Sequence, residues 1–214
     1  MLVRFVCALG MMLMLSAQGL AGFSYNFRLD QASYLNQNPN SVINSNVWLY
    51  ETANGADTNA TSTFTGAVGA RFNLNPTGAS AAVTAASINT AFLLPGSATI
   101  AAGGVTFDVA SFSAIAPTNV GALERRVLIG NVSINAGPLG SNTLFNFTDF
   151  NIGAAQQDVT VLNPNPTTLD TTVFANSPGI QITAVPEPTS MALVGMAGLG
   201  AFVVRRMRKR KLAK

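Results

Sequence analysis

The sequence contains no histidine, and its single cysteine, Cys7, lies close to the amino terminus. Without histidine the chain cannot form a Ser-His-Asp or Cys-His catalytic centre, a histidine-ligated zinc site or a histidine general base. The cysteine-free remainder can form neither a disulfide nor a thiolate metal site. Carboxylate chemistry of the glycosidase type stays open, but no local motif pairs two acidic residues. We therefore predict a protein without catalytic activity, cofactor or metal; a carboxylate-dependent glycan hydrolase is the alternative.

Lysine is absent from residues 23–184, which carry four arginines against eight aspartates and glutamates. The formal net charge of +3 arises instead from a cluster of cations near the carboxyl terminus. These cations are Arg205, Arg206, Arg208, Lys209, Arg210, Lys211 and Lys214. Because the remainder has no basic stripe that could neutralise a run of phosphates, we predict no nucleic-acid binding.

The amino terminus, MLVRFVCALGMMLMLSAQGLAGF, has the organisation of a secretory signal peptide. Arg4 precedes an apolar stretch from Phe5 to Leu15, which is shorter than the ~20 residues that a membrane span requires. Gly19 and Ala21 fit the two small residues that precede a signal cleavage site. We predict a signal peptide over residues 1–21, cleavage after Ala21 and passage through the secretion translocon.

A second apolar run, residues 191–204, ends directly at the terminal cations. At ~1.5 Å per residue, a helix over residues 189–204 barely crosses a hydrocarbon core of ~30 Å. Cations beside a membrane helix stay on the cytoplasmic side, which would place residues 22–184 outside the cytoplasm. We predict a single carboxyl-terminal transmembrane helix, 189–204, followed by a basic tail, 205–214. A helix buried within the domain is the alternative.

Four residues before this helix, Val185, Pro186, Glu187 and Pro188, complete a three-part arrangement of motif, short apolar helix and basic end. It resembles the PEP-CTERM sorting signal of bacteria. The resemblance implies recognition by an exosortase, a membrane protease-transpeptidase that cuts near Pro-Glu-Pro. The matching basic end is Arg205, Arg206, Arg208, Lys209, Arg210 and Lys211. Two prolines also favour an extended backbone, which a protease cleft can hold; a stiff spacer is the alternative.

Residues 22–184 show the period-two alternation of apolar side chains that is typical of β-strands between Gly, Pro and Asn clusters. We predict an all-β domain, an antiparallel β-sandwich or jelly roll, with a β-bulge at Gly130. An alanine-rich stretch, residues 79–94, instead predicts a short helix or turn. The proposed core aromatic residues are Trp48, Tyr50, Phe72, Phe107, Phe145 and Phe147.

The strand pattern, VWLYETANG to GAVGARFNLN and RVLIGNVSINAG to TLFNFTDFN, also resembles cohesin-type jelly-roll domains. That resemblance implies an extracellular module that binds a protein partner. Extracellular polysaccharide is a further candidate partner, for which Tyr25 and Tyr34 would be exposed aromatic platforms.

Two further features of the body have simple alternatives. Asp57 with Asn54 and Asn59 offers oxygen ligands of the kind that Ca²⁺ prefers, but the pattern also fits an Asx-rich turn. Three Asn-x-Ser/Thr triplets, at Asn59, Asn131 and Asn146, are potential glycosylation acceptors, although a chain rich in these residue types produces them by chance.

The sequence as a whole predicts an exported, non-enzymatic protein of the bacterial cell surface or extracellular matrix. Its precursor would be anchored in the inner membrane, transiently or as a single-pass protein, and then be sorted and cleaved by an exosortase. The alternative is a membrane-anchored module that binds carbohydrate or protein.

Overall fold

The computed structural model describes residues 23–53, 65–78, 80–150, 158–163 and 165–185, together with the single residue Met196. Within these residues the chain forms thirteen β-strands and one short helix. The strands are β1 (Phe23–Leu29), β2 (Ser33–Gln37), β3 (Val42–Ala53), β4 (Gly66–Thr77), β5 (Ala82–Ile88), β6 (Ser97–Ala101), β7 (Gly104–Ile115), β8 (Thr118–Asn119), β9 (Glu124–Asn135), β10 (Asn142–Asp149), β11 (Val159–Asn163), β12 (Asn165–Thr168) and β13 (Ile180–Ala184). The helix is α1 (Asp170–Asn176).

The strands form two sheets. Sheet A has the order β1-β3-β9-β5, and β8 also pairs with β9. Sheet B has the order β12-β11-β4-β10-β13-β2, and β7, with β6 beside it, pairs with β4. Every described pairing is antiparallel except that of β13 with β2, which is parallel. The predicted all-β sandwich is therefore confirmed.

Side chains from the inner faces of both sheets form one hydrophobic core. Its centre is an aromatic cluster in which the ring centroid of Phe72 lies 4.2 Å from Phe27, 5.2 Å from Phe107 and 5.8 Å from Phe147. Phe72, Phe107 and Phe145 are fully buried and Phe147 is 5% exposed. Four of the six predicted core aromatic residues are therefore confirmed.

Trp48 is a wrong core prediction, whereas Tyr50 is buried as predicted but lies outside the core cluster. In β3 the residues Ile43, Val47 and Leu49 belong to the core, and the pleat therefore turns the even-numbered side chains outward. Trp48 is half-buried, and Tyr50 is buried outside the core cluster. Both aromatic side chains lie on the outer face of sheet A.

The predicted β-bulge is confirmed on β9. Val47 pairs with Gly130 and the next residue, Trp48, pairs with Leu128, so Ile129 is the additional residue on β9. Because side chains alternate along a strand, the extra residue shifts the alternation. Val127 and Ile129 face the core before the bulge, and Val132 and Ile134 face it afterwards.

Of the short helix or turn predicted in residues 79–94, the helix alternative is wrong. The stretch forms β5 (Ala82–Ile88), which pairs with β9 and buries Val83 in the core. Pairing with β9 and burial of an apolar face stabilise a strand in this stretch more than the helix propensity of alanine stabilises a helix. A turn follows, in which the Phe92 N–H donates to the Asn89 carbonyl at 3.1 Å.

The one described helix of more than a turn, α1, covers an end of the core. Its Val173 is fully buried, and its Phe174 ring lies 5.9 Å from Phe27. Ser177 fixes the helix to β1, because its Oγ accepts from the Phe27 N–H at 2.8 Å and donates to the Val173 carbonyl at 2.6 Å.

No helix among the described residues is long and apolar enough to cross a membrane. The predicted signal peptide, its cleavage site at Ala21 and the basic tail lie outside the described residues. So does the predicted transmembrane helix, 189–204, apart from Met196.

Candidate functional site

Backbone hydrogen bonds attach the chain to the sandwich up to Val185, the first residue of the predicted sorting motif. Ala184, at the end of β13, is fully buried; its N–H donates to the Ser141 carbonyl at 3.0 Å. The Gly140 N–H donates to the Ala184 carbonyl at 2.9 Å, and the Val185 N–H donates to the Gln37 carbonyl at 3.0 Å. Val185 is thus attached to the body, whereas Pro186, Glu187 and Pro188 lie outside the described residues.

The outer face of sheet A carries the second feature, which we call the aromatic–arginine stack: Arg28, Tyr50, Arg126 and Trp48. The Arg28 guanidinium carbon lies 4.4 Å from the Tyr50 ring centroid. The Arg126 guanidinium carbon lies 5.9 Å from the Tyr50 centroid and 3.8 Å from the Trp48 centroid. Cations over ring faces at such distances are attracted by the negative face of the aromatic quadrupole.

Hydrogen bonds fix both arginines of the stack. Arg28 donates through Nε to Asn26 Oδ1 at 2.7 Å and pairs through Nη1 with Glu124 Oε1 at 3.1 Å. Arg126 donates through Nη1 to the Tyr50 hydroxyl at 3.1 Å, while its buried Nε has no hydrogen-bond partner among the described residues. The guanidinium groups of Arg28 and Arg126 therefore both already form contacts within the sheet.

Asp30, just beyond the end of β1, holds the indole of Trp48. The Trp48 Nε1–H donates to Asp30 Oδ1 at 2.7 Å, and the Asn46 N–H donates to Asp30 Oδ2 at 2.8 Å. Partial burial, the largest single influence, raises the pKa of this carboxyl. Four contacts lower the pKa: the two hydrogen bonds above, a third from the side-chain amide of Asn46, and the positive charge of Arg126. Together they outweigh burial, so the pKa of Asp30 lies below its usual value.

Beside the stack lies a neutral strip that we call the amide row: Asn44, Asn46, Ser87, Asn131 and Ser133. Strand register places Asn44 opposite Ser133, and Asn131 between Asn46 and Ser87. Ser133 Oγ donates to Asn44 Oδ1 at 2.8 Å, and Ser87 Oγ donates to Asn131 Oδ1. Four of these residues, with Asp30, Ser45 and Val132, line a shallow cavity of about 310 Å³.

The two predicted sugar platforms, Tyr25 and Tyr34, are wrong because both side chains are buried, at 3% and 5% exposure. The Tyr25 hydroxyl donates to the buried Glu51 at Oε2, 2.6 Å away. The Tyr34 hydroxyl donates to Ser45 Oγ at 2.6 Å, and burial raises the pKa of Tyr34 despite that bond. On the outer face of sheet A the partly exposed aromatic side chain is Trp48, for which the sequence predicts a core position.

Two of the described carboxylates, Asp108 and Asp158, line one cavity on sheet B together with Arg71. Within the described residues, no three acidic side chains group around a point that could hold a metal ion. Asp108 pairs with Arg71 at 2.7 Å, on the outer face of sheet B, and this bond raises the pKa of Arg71. The suggested calcium ligands, Asp57 with Asn54 and Asn59, lie outside the described residues.

Two of the three potential glycosylation acceptors lie on outer sheet faces. Asn131 belongs to the amide row on sheet A, and Asn146 donates to Thr77 Oγ1 at 3.1 Å on sheet B. Asn59 lies outside the described residues.

This sandwich is similar in fold to cohesin modules. A type III cohesin from the ScaE cell-surface anchoring scaffoldin of Ruminococcus flavefaciens matches with a TM-score of 0.50 at 7% identity, covering 79% of this chain and 91% of that one. A cohesin of Clostridium acetobutylicum gives 0.47 at 8% identity, covering 80% and 97%. The seventh ScaB cohesin of Pseudobacteroides cellulosolvens gives 0.47 at 12% identity, covering 77% and 95%. At these identities the likeness concerns the fold alone.

The carboxyl-terminal segment supplies the second part of the identification. Residues 184–209 match the PEP-CTERM protein-sorting motif. The match includes Val185, Pro186, Glu187 and Pro188 and the first four terminal cations, Arg205, Arg206, Arg208 and Lys209. No curated protein has a significantly similar sequence. The chain therefore carries a PEP-CTERM sorting motif on a cohesin-like β-sandwich.

Proposed function

We propose that this chain is an exported, non-enzymatic bacterial surface protein, sorted and cleaved by an exosortase at its carboxyl-terminal motif. The observation that carries the proposal is the position of the motif. Residues 184–209 match the sorting motif, and they begin at the buried final residue of β13. A cut beyond Val185 would therefore release the sandwich with all of its described strands intact.

Four further steps belong to this proposal. A signal peptide cleaved after Ala21 delivers the chain to the translocon, and the helix over residues 189–204 holds the precursor in the inner membrane. The basic tail, including Arg210 and Lys211, keeps its end in the cytoplasm. The mature protein then reaches the cell surface or extracellular matrix.

Two observations support a non-enzymatic body. The chain has no histidine, and the carboxylates of Asp30, Asp108 and Glu124 already form local contacts.

The intact mass of the protein, made in matched strains with and without an exosortase, tests this proposal. We expect a product from Gly22 to a residue near Pro188 in the first strain, and a product that retains residues 205–214 in the second. The variant Pro186→Ala/Pro188→Ala should retain the tail in both strains. Pro178→Ala, an exposed proline outside the motif, is the matched control and should be processed normally. Retention of the tail by the unaltered chain in both strains would contradict exosortase cleavage.

A second candidate function, a binding module that works at the membrane or after release, is favoured by the outer face of sheet A. Trp48 and the amide row are ordered by hydrogen bonds and are exposed or partly exposed, as a preformed binding surface would be. The two functions are compatible, since sorting concerns the carboxyl-terminal motif and binding concerns the sandwich.

A further inference from the structure

We propose that the amide row and the adjoining Trp48 on the outer face of sheet A bind a chain of neutral sugars. This inference deepens the proposed binding role by naming its surface and its ligand class. It rests on three properties of that face: unused hydrogen-bond donors, an oriented aromatic side chain and the lack of available positive charge and of apolar area.

The amide row has unused donors that point in a known direction. Asn44 accepts from Ser133 through Oδ1 and Asn131 accepts from Ser87 through Oδ1, which assigns the Nδ2 group of each to the other side. Neither Nδ2 group has a partner among the described residues. Asn131 and Asn44 lie on neighbouring strands but not opposite each other, because Asn44 pairs with Ser133 and Asn131 pairs with Asn46. Diagonal neighbours of this kind are roughly 7–8 Å apart, so the two amides can contact separate polar groups of one extended ligand.

Trp48 adds an oriented aromatic surface at one end of the row. It is the next outward residue after Asn46 on β3, and Asp30 and Arg126 fix its ring. A half-buried indole that cannot rotate loses little conformational entropy when a ligand packs against it. Amide donors beside a fixed aromatic ring suit a ligand with hydroxyl groups at its edges and an apolar ring face, which is the chemistry of a hexose.

The charges on this face argue against an anionic ligand. Arg28 and Arg126 are the cations of the stack, and both already contact aromatic rings and a hydrogen-bond acceptor. Asp30 presents a negative charge at the edge of the cavity, which would repel a phosphate or a uronate.

The apolar content of the face argues against a protein partner. Strands β3, β5 and β9, whose backbones are described throughout, expose one large apolar side chain, Val42. Protein interfaces usually require an apolar, well-packed centre, which the amide row does not provide. The shallow cavity of about 310 Å³ lies at the lower end of the range of ~300–1,000 Å³ that small-molecule sites occupy.

Calorimetry with the purified full chain and neutral hexose oligomers tests the inference. The probes are cellohexaose, laminarihexaose and mannohexaose, with an alginate hexamer as the anionic comparison. We expect saturable binding of at least one neutral oligomer, no binding of alginate, and a change in the emission of Trp48, the single tryptophan. Saturation with alginate alone, or with none of the oligomers, would overturn the inference.

Asn44→Asp/Asn131→Asp is the decisive variant, because it removes both free donors while it keeps side-chain shape and the acceptors for Ser133 and Ser87. We expect at least a tenfold weaker affinity, since each lost hydrogen bond weakens binding several-fold and a neutral ligand responds little to the added charge. Asn75→Asp on sheet B is the matched control. The Asn75 Nδ2 group already donates to Thr148, so this variant should bind the oligomer as tightly as the unaltered protein does.

Equal losses in the decisive variant and the control would overturn the assignment to sheet A, and so would an intact mass showing that Asn131 already carries a sugar. Asn44→Ser/Asn131→Ser replaces the decisive variant if that variant does not fold. The binding measurement does not depend on processing. A negative result therefore leaves the exosortase proposal standing, and retention of the tail leaves the binding result standing.

Discussion

The guanidinium carbon of Arg126 lies 3.8 Å from the centroid of the Trp48 ring, and Asp30 accepts the indole N–H at 2.7 Å. One side chain covers a ring face while the other holds the ring edge. Because the two contacts come from β9 and from the end of β1, they connect three neighbouring segments of sheet A across its outer face. The orientation of Trp48 is therefore a property of the assembled sheet.

Replacement of Arg126 by methionine should loosen Trp48. Arg126→Met removes the charge over two rings but keeps an unbranched side chain of similar reach. A cation over an aromatic ring contributes about 0.5–2 kcal/mol, so we expect a loss of unfolding free energy in that range. Urea unfolding and the emission spectrum of Trp48 measure both effects.

Arg71→Met is the control for that experiment. Arg71 also lies over an aromatic ring, 4.8 Å from the centroid of Phe150, but on sheet B. Its replacement should leave the native emission spectrum of Trp48 unchanged. Identical native spectra for Arg126→Met and the unaltered protein would show that Arg126 does not fix the indole.

The depressed pKa of Asp30 predicts an acid-dependent loss of stability. A carboxyl whose pKa is lower in the folded protein than in the unfolded chain stabilises the fold above its ordinary value, 3.8. That contribution is lost as the pH falls from 3.8 through the folded pKa. The Tm difference between the unaltered protein and Asp30→Asn should therefore shrink as the pH falls through this window.

Titration of Trp48 emission gives a local measure of the same event, since protonation weakens the acceptor of the indole N–H. The emission change should be present in the unaltered protein and absent from Asp30→Asn. Asp108→Asn, on sheet B, should retain it. A pH-independent Tm difference between pH 2 and pH 6 would mean that Asp30 stabilises the fold by shape alone.

Sequence alternation predicted the sandwich because most strands bury one face and expose a polar one, so Phe72, Phe107 and Phe145 were assigned correctly. It was wrong on β3, because Val47 and Leu49 alternate with Trp48 and Tyr50 and both faces look apolar. The two faces of β3 differ because Arg126 of β9, which is far away in sequence, lies over the rings of Trp48 and Tyr50 on the outer face.

Tyr25 illustrates the opposite error. An aromatic side chain with a hydroxyl looks suited to the surface, yet its partner Glu51 is itself buried in the sandwich, at 2% exposure. The two residues are paired across β1 and β3, a relationship that depends on strand register and not on the local sequence. The amide row was also missed, since it comes from β3, β5 and β9 and has no motif in any one of them.

Truncation of Phe72 should be among the most damaging core changes. The ring is fully buried and contacts three other rings, so Phe72→Ala leaves a cavity that its neighbours cannot fill. Such changes cost about 3–5 kcal/mol of unfolding free energy. Phe112→Ala removes a ring that is 86% exposed and should change stability by at most about 0.5 kcal/mol. Similar denaturation midpoints for the two variants would contradict the described core.

Gly130 connects the fold to the proposed binding face. The bulge at this glycine shifts the alternation of β9, and the shift turns Asn131 and Ser133 outward while Val132 faces the core. A Cβ on Gly130 would lie 2.8 Å from Phe107 Cε1, 3.2 Å from the Ile88 Cα and against the Ser87 carbonyl oxygen. These neighbours are a packed core ring and the backbone of β5, so they cannot move aside without disturbing the sheet.

Gly130→Ala should therefore cost about 1–3 kcal/mol of unfolding free energy, as overpacked substitutions do. Gly121→Ala is the matched control, because no atom lies within 4 Å of its added Cβ. It should be neutral or stabilise by about 0.4–1 kcal/mol, since alanine restricts the unfolded chain. Because Gly130 also sets the position of Asn131, Gly130→Ala should bind the neutral oligomer more weakly. Binding is measured without denaturant, at a temperature at which this variant is still folded. Stability and affinity that match those of Gly121→Ala would show that β9 tolerates a side chain at the bulge.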